Sequence, residues 1–212
     1  MKKIIIFYLS LISLSFGEIS DVSFVLKGGF TPLGFYEQSV KDDATKTTTK
    51  DKTTMSNGLN VNLEFQSRSK TFDNFYYGVG LGYLQSPSLK DEIGGISELG
   101  VDYFPVYFLL QYEPESEHYF EFLMYFSMRA GISYERDIGR LKESTSFGNI
   151  FSAPSPYLGF SWGFEKENLM VEAFYDFNVG ASANLTPIGD YITMNSRRIG
   201  LSVGMRLNAS DR

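Results

Sequence analysis

Charged side chains recur in several segments in which every second residue is apolar. In residues 198–207, Arg198 and Arg206 share the polar phase with glycine and serine only. Alternation with a period of two indicates a strand whose faces meet two environments. A buried charge needs a partner, so we expect a salt-bridged polar interior, and the alternative is a narrow ion path. The candidate network is Lys27, Glu64, Glu121, Arg129, Glu172, Asp176, Arg198 and Arg206.

Residues for catalysis or metal binding are scarce. The chain has no cysteine and one histidine, His118, which stands beside Glu115 and Glu117 in a short turn. Imidazole is the side chain best suited to acid–base chemistry at neutral pH, and nothing else here replaces it. Transition metals favour imidazole and thiolate ligands. We therefore expect no catalytic site, no metal site and no cofactor.

Eight alternating segments position the charges. The connections between them alternate between long and short, which is typical of an outer-membrane barrel with short periplasmic turns and long outer loops. Gly28 and Gly29 predict a bend in the first strand, and Pro105 predicts a bulge in the fourth. The predicted strands cover residues 22–31, 59–66, 75–84, 101–112, 119–134, 157–164, 169–179 and 198–207, and the predicted outer loops cover residues 37–54, 86–99, 135–153 and 180–197.

Two features favour a membrane barrel over a soluble barrel with its apolar face inward. The interior of an eight-stranded barrel is just wide enough for side chains to fill it, and the glycine and serine phase fits that space better than rows of Phe, Met and Leu. A soluble barrel also carries lysines on its strands, whereas Lys27 is the only lysine within a clear predicted strand.

The N-terminal residues 1–17 have the pattern of a secretory signal peptide. Lys2 and Lys3 precede an apolar run, and Ser15 and Gly17 are small residues suited to cleavage after Gly17. The alternative, a membrane anchor, would need a longer apolar run. The remaining residues 18–212 form one predicted barrel domain. The formal net charge of −6 argues against nucleic acid as a partner.

The last predicted strand, residues 198–207, carries a resemblance to a known family. Its apolar residues have the spacing of the C-terminal signal read by the barrel-assembly machinery, and residues 18–207 together resemble the OmpA/OmpX-type family of small outer-membrane barrels. The family usually ends this strand on Phe, whereas here Leu207 is followed by residues 208–212. The residues that match the signal are Ile199, Leu201, Val203, Met205 and Leu207.

The expected fold is thus all-β: an eight-stranded antiparallel transmembrane β-barrel in a Gram-negative outer membrane. The resemblance implies contact with outer-membrane lipid, lipopolysaccharide and the barrel-assembly machinery. We expect a non-enzymatic protein with a structural or surface-interaction role, which binds host or surface ligands through its outer loops. The alternatives are a narrow passive channel and, less favoured, a lipid-A-modifying or phospholipase barrel enzyme that uses His118. Fold analogy alone does not choose among them.

Overall fold

The computed structural model describes residues 22–42, 47–55, 58–69, 71–72, 74–89, 96–114, 122–141, 146–151, 154–184 and 191–208. The predicted leader, residues 1–17, lies outside these ranges. No helix within them is long and apolar enough to cross a membrane. The strands are β1 Val22–Asp42, β2 Thr47–Met55, β3 Gly58–Arg68, β4 Phe75–Leu89, β5 Ile96–Tyr112, β6 Leu123–Leu141, β7 Ser146–Phe151, β8 Ser155–Lys166, β9 Leu169–Asn184 and β10 Tyr191–Asn208.

Eight of these strands form a closed antiparallel barrel. The order around the wall is β10, β9, β8, β6, β5, β4, β3 and β1, and β1 pairs with β10 to close it. The closing seam runs from Ser23 opposite Asn208 to Lys41 opposite Tyr191. Strands β2 and β7 pair with the far halves of β1 and β6, where they continue the lines of β3 and β8. The predicted all-β, eight-stranded antiparallel barrel is confirmed.

The two phases of each strand face different environments. Along β8, buried and exposed residues alternate from Ser155 to Glu165. Apolar side chains point outward, as with Leu201, which is 60% exposed, whereas Glu64 and Arg129 inside are at most 1% exposed. The soluble alternative is therefore wrong, because the apolar phase covers the outside of the barrel and the polar phase fills it.

The strands extend well beyond a membrane at one end. A spanning strand needs about 9–11 residues, whereas β1 has 21 and β6 has 19. The surplus lies opposite the tight turn between β8 and β9, where Glu167 adopts a left-handed φ of 56°. The four predicted outer loops are thus partly strand. β7 lies within one of them, and all of β2 except Met55 lies within another. Threonine is β-branched and favours strands, so the Thr-rich part of the first predicted outer loop extends the sheet as β2.

The two predicted strand irregularities differ from the structure: one lies at another position, and the other does not occur. The register of β1 against β10 shifts between Phe30 and Leu33, not at the glycine pair. Pro32 lies in this gap, and it has no N–H to give to a ladder. In β5 the register on both sides of Pro105 is the same, so the predicted bulge is wrong. Gly82 gives the proline ring room, since a Cβ there would lie 3.0 Å from Pro105 Cγ.

Candidate functional site in the barrel lumen

Four charged side chains meet inside the barrel, and we call them the central quartet. Lys27 Nζ lies 3.2 Å from Glu64 Oε2 and 2.9 Å from Glu172 Oε2. Arg129 bridges the same two carboxylates, with Nε 3.1 Å from Glu64 Oε1 and Nη2 2.7 Å from Glu172 Oε1. All four side chains are at most 1% exposed. Two cations and two carboxylates therefore neutralise each other away from water.

Neutral donors complete the shell of Glu172. Tyr125 OH and Ser161 Oγ donate to its Oε2 at 3.1 and 3.0 Å, and Ser202 Oγ donates to its Oε1 at 3.0 Å. With Lys27 and Arg129, this carboxylate receives five hydrogen bonds. A buried ion pair is sustained when hydrogen bonds satisfy its remaining lone pairs, and here they do.

Glu64 has a smaller shell of the same kind. Tyr107 OH donates to Oε1 at 3.1 Å, and Gln66 Nε2 donates to Oε2 at 2.8 Å. Together, the residues around the two carboxylates come from every strand of the barrel wall except β4. The network therefore ties the wall together across the lumen.

Glycines on the inner face make space for this network. A Cβ at Gly80 would lie 2.5 Å from the Tyr107 ring, and one at Gly163 would lie 2.6 Å from the Tyr125 ring. A Cβ at Gly204 would lie 2.6 Å from Lys27 Cγ. Contacts this short are not tolerated by real side chains, so each glycine is the complement of one large lumen residue. This explains the glycine-rich phase of strands β4, β8 and β10.

Arg206 closes the end of the lumen nearest the tight turns. Its Nε and Nη2 bind the two oxygens of Glu165 at 2.7 and 2.9 Å. Its Nη1 donates to Ser23 Oγ at 3.1 Å and to Gln66 Oε1 at 2.9 Å. Two parallel bonds from a guanidinium to a carboxylate form a strong and geometrically specific pair. The last strand is thereby bound to the first.

Glu113 lies beside this cluster, just beyond the end of β5. Its Oε1 is 4.0 Å from Arg206 Nη2, and it accepts a hydrogen bond from Gln111 Nε2 at 2.9 Å. Burial raises the pKa of Glu113, and the attraction of Arg206 opposes that rise only in part. The end of the lumen nearest the tight turns therefore contains a carboxylate that holds its proton more tightly than a solvated carboxylate does.

Arg198 dominates the opposite half of the lumen. Its Nη2 donates to Asn178 Oδ1 at 2.8 Å, and its guanidinium lies 4.2 Å from the centroid of the Tyr103 ring. Asp176 lies opposite Arg198 in the β9–β10 register but accepts its hydrogen bond from Tyr157 OH, at 2.9 Å. In the part of the chain that the structure describes, buried polar atoms without a hydrogen-bond partner concentrate in this half; they include Arg198 Nε and Nη1, both side-chain polar atoms of Asn60, and Ser196 Oγ.

The predicted network thus separates into three layers. Lys27, Glu64, Arg129 and Glu172 meet in the middle, whereas Arg206 and Arg198 lie towards opposite ends. The sequence also predicts that closing the barrel brings Arg198 and Arg206 near Glu172, Asp176 or Lys27, and Arg198 does lie opposite Asp176 in the β9–β10 register. Arg206 instead pairs with Glu165, one residue beyond the predicted strand 157–164. The alternation of that strand, continued by one residue, places Glu165 in the inward phase of β8.

Two predicted positions fall outside the described residues, namely Glu121 and His118. No group of three or more metal-ligating side chains occurs within the described ranges. The residues of the C-terminal signal all point outward from β10, with exposed fractions between 42% and 60%. The tyrosines of the lumen were not singled out from the sequence, although Tyr107 and Tyr125 occupy the inward phase of β5 and β6.

Similarity to known proteins is found only among solved structures. No protein-family model matches the sequence, and no curated protein matches it. Neisserial surface protein A is 12% identical with a TM-score of 0.43, covering 86% of this chain and 96% of its own. Ail of Yersinia pestis, solved with a heparin analogue, is 13% identical with a TM-score of 0.40, covering 90% and 100%. OprG of Pseudomonas aeruginosa is 15% identical with a TM-score of 0.47, covering 86% and 95%.

The location of the protein follows from its own surfaces. A closed antiparallel barrel with a band of outward Leu, Val, Phe and Met around a polar interior is the architecture of outer-membrane proteins. Outward side chains such as Leu59, Val106 and Leu201 are more than half exposed, which is stable against lipid but not against water. The protein is an outer-membrane β-barrel.

Proposed function

We propose that this barrel is a closed, non-enzymatic scaffold with a structural or surface-interaction role. The central quartet is the observation that supports this proposal. Side chains from β1, β3, β6 and β9 meet across the lumen, and their charges cancel in pairs. A conducting path needs charges or polar groups that face water, whereas these four are at most 1% exposed.

The outer strand extensions support the second half of the proposal. β1, β6 and β10 have more residues than a bilayer requires, so they hold backbone above the lipid surface. Binding sites are often placed on segments that a rigid scaffold presents to solvent. The proposed partners are host or surface ligands at this end, lipid and lipopolysaccharide around the apolar band, and the barrel-assembly machinery at β10.

Single-channel conductance in a planar bilayer tests the closed lumen. The mature chain is first checked for the heat-dependent gel shift of a folded barrel, and then inserted. We expect a silent bilayer for the wild type and discrete current steps for Arg129→Ala, because that change removes the largest side chain of the quartet. Ser133→Ala, which lies inward on the same strand but outside the quartet, serves as the matched control and should stay silent. Discrete steps from the wild type would refute a closed lumen.

A narrow passive channel is the second candidate, and one observation favours it. The half of the lumen around Arg198 holds several buried polar atoms that have no protein partner. Buried polar groups of this kind are usually satisfied by water. Among the described residues, a hydrated outer half would leave the quartet and the cluster around Arg206 as the barriers, so wild-type steps that Arg129→Ala enlarges would make the channel the better description.

A lipid-modifying enzyme is the third candidate, and it depends on His118. The test is turnover of lipid A and of phospholipid by the folded protein in vesicles, with His118→Ala alongside. We expect no turnover from either form. Turnover that His118→Ala abolishes would replace the scaffold proposal with an enzymatic one.

A further inference from the structure

One buried cation of the lumen differs from the others in having no anion beside it. Lys27 and Arg129 pair with the carboxylates of the central quartet, and Arg206 pairs with Glu165. Arg198 is also buried, at 2% exposed, but among the described side chains no carboxylate lies within ion-pair distance of its guanidinium. A buried charge that nothing compensates is costly, so an anion at this point would stabilise the folded barrel.

Asp176 does not supply that anion, although it lies opposite Arg198 in the β9–β10 register. Its Oδ1 accepts a hydrogen bond from Tyr157 OH on β8 at 2.9 Å. The same oxygen lies 2.7 Å from the place that a Cβ on Gly159 would take, and Gly159 is also on β8. The carboxylate of Asp176 therefore leans along the wall towards β8 and away from β10.

Two polar residues adjoin Arg198 on its outer side. Ser196 is the next inward residue of β10, and Asn178 of β9 lies directly opposite Ser196. Arg198 Nη2 donates to Asn178 Oδ1 at 2.8 Å, which assigns the other end of that amide as a donor. All three side chains are at most 2% exposed.

These three residues hold a set of unused hydrogen-bonding groups. Within the described part of the chain, Nε and Nη1 of Arg198, Nδ2 of Asn178 and Oγ of Ser196 have no partner. The three nitrogens can only donate, and the hydroxyl can donate as well. Buried polar groups of this kind are normally hydrogen-bonded. A partner that satisfies them must therefore be an acceptor, and the charge of Arg198 favours a negative one.

The course of the Arg198 side chain leaves one side of the lumen thinly filled. Its guanidinium lies 4.2 Å from the centroid of the Tyr103 ring on β5, and β5 stands opposite β10 in the barrel wall. The side chain thus crosses the lumen. The residue beside Arg198 on β1 is Gly34, which contributes no side chain. A small molecule fits such a layer better than a large one, because the interior of an eight-stranded barrel is narrow.

We propose that Arg198, Asn178 and Ser196 form a binding site for a small carboxylate in the outer half of the lumen. A guanidinium presents N–H groups in a planar fork that matches the two oxygens of a carboxylate. The amide of Asn178 and the hydroxyl of Ser196 add donors from the outer side. The site goes beyond the scaffold role proposed above, since a closed barrel needs no ligand. The central quartet blocks the way inward, so the carboxylate enters and leaves at the outer mouth.

The test measures binding of ¹³C-labelled formate to the folded protein in lipid nanodiscs, with protein-free nanodiscs as the blank. We expect saturable binding of one formate per barrel. The ¹H–¹⁵N signals of Arg198 Nε and Asn178 Nδ2 should shift as formate is added, because these groups gain an acceptor. Burial of the site predicts slow exchange, with separate signals for the bound and the unbound protein.

Matched variants locate the site. Arg198→Met should abolish saturable binding, and Arg198→Lys, which keeps the charge but loses the planar fork, should weaken it about tenfold or more. Ser196→Ala removes one neutral donor and should weaken binding about fivefold. Arg197→Met is the control, because Arg197 is the neighbouring residue on the exposed face of β10 and its charge is screened by solvent; binding should stay within about twofold. The heat-dependent gel shift shows that each variant is folded.

Several results would overturn the proposal. Absence of saturable formate binding by the folded wild type would mean that water satisfies these groups. Undiminished binding by folded Arg198→Met, or an equal loss in Arg197→Met, would place the anion elsewhere. Displacement of formate by an equal concentration of chloride would refute a site built for carboxylates. Bilayer conductance, which does not depend on formate, separately reports whether the closed-lumen scaffold fails.

Discussion

Replacing Glu172 by glutamine tests whether the central quartet stabilises the barrel. Glutamine keeps the shape of the side chain but offers only one acceptor oxygen. Its NH₂ group would face donors from which the second carboxylate oxygen now accepts hydrogen bonds. Those donors are Lys27 and Arg129 together with three hydroxyl groups. Two buried cations would then share the single carboxylate of Glu64.

The expected loss of stability follows from this geometry. Breaking a buried ion pair by removing one partner costs about 3–5 kcal/mol, because a buried charge is left uncompensated. Losing one neutral hydrogen bond costs about 1 kcal/mol. Glu172→Gln should therefore lower the free energy of unfolding by about 3–5 kcal/mol, and Ser202→Ala, which removes one donor to the same carboxylate, by about 1 kcal/mol.

The single tryptophan of the chain makes the measurement direct. Trp162 lies on the outer face of β8 and is 47% exposed, so its fluorescence reports whether it is in contact with lipid. Urea unfolding in vesicles, followed by this signal, gives the free energy of unfolding of each variant. A Glu172→Gln loss no larger than that of Ser202→Ala would refute the quartet as a stabilising centre.

A double-mutant cycle separates the pair energy from the cost of an orphaned charge. Lys27→Met removes the neighbouring cation and replaces it with an apolar chain of similar length. If the two charges are directly coupled, the double variant with Glu172→Gln should be more stable than the sum of the single losses predicts. Strictly additive losses would mean that Lys27 and Glu172 act independently.

Three further predictions concern the wall and its rims. Val203→Lys places a charge on the lipid-facing side of β10 and should cost about 2–4 kcal/mol by the same urea assay if the site is near the bilayer centre; a loss below about 0.5 kcal/mol would contradict the lipid-facing assignment. Glu167→Gly should stabilise the barrel by about 1 kcal/mol, because glycine adopts the left-handed φ of 56° without strain, and a destabilised variant would argue against that turn. Burial raises the pKa of Glu113 above its ordinary value of 4.5, so the folded state binds more protons than the unfolded state just above that pH, and stability should fall as the pH rises through this window. Glu113→Gln should flatten that part of the profile of stability against pH, and an unchanged profile would assign the dependence to another group.

The sequence pattern was sufficient to predict the wall of the barrel but not its interior contacts. Strict alternation, as in residues 198–207, states which side chains point inward, and the burial pattern of β10 agrees at each described position from Ser196 to Leu207. Alternation carries no information on height within the lumen. Arg129, Arg198 and Arg206 all point inward, but only Arg129 lies level with Glu64 and Glu172, because the strand registers decide this.

The outer ends of the strands were the other point that the pattern did not settle. A stretch such as residues 47–55 has no alternation of apolar and polar residues, and the usual signal of a half-buried strand is therefore absent. Its pairing with β1 comes from the backbone ladder and from threonine's preference for extended conformations. Strands that leave the membrane no longer need one apolar face, so their limits are not marked in the sequence.

The contact between Arg206 and Ser23 has a consequence for how the chain folds. These residues are 183 positions apart, and the seam between β1 and β10 joins the two ends of the barrel wall in the same way. Contacts so distant in sequence are slow to form, because the chain must close a long loop before any of them stabilises it. Closure of the seam is then the late step of folding, and until it occurs the edges of β1 and β10 are open to the wrong neighbours.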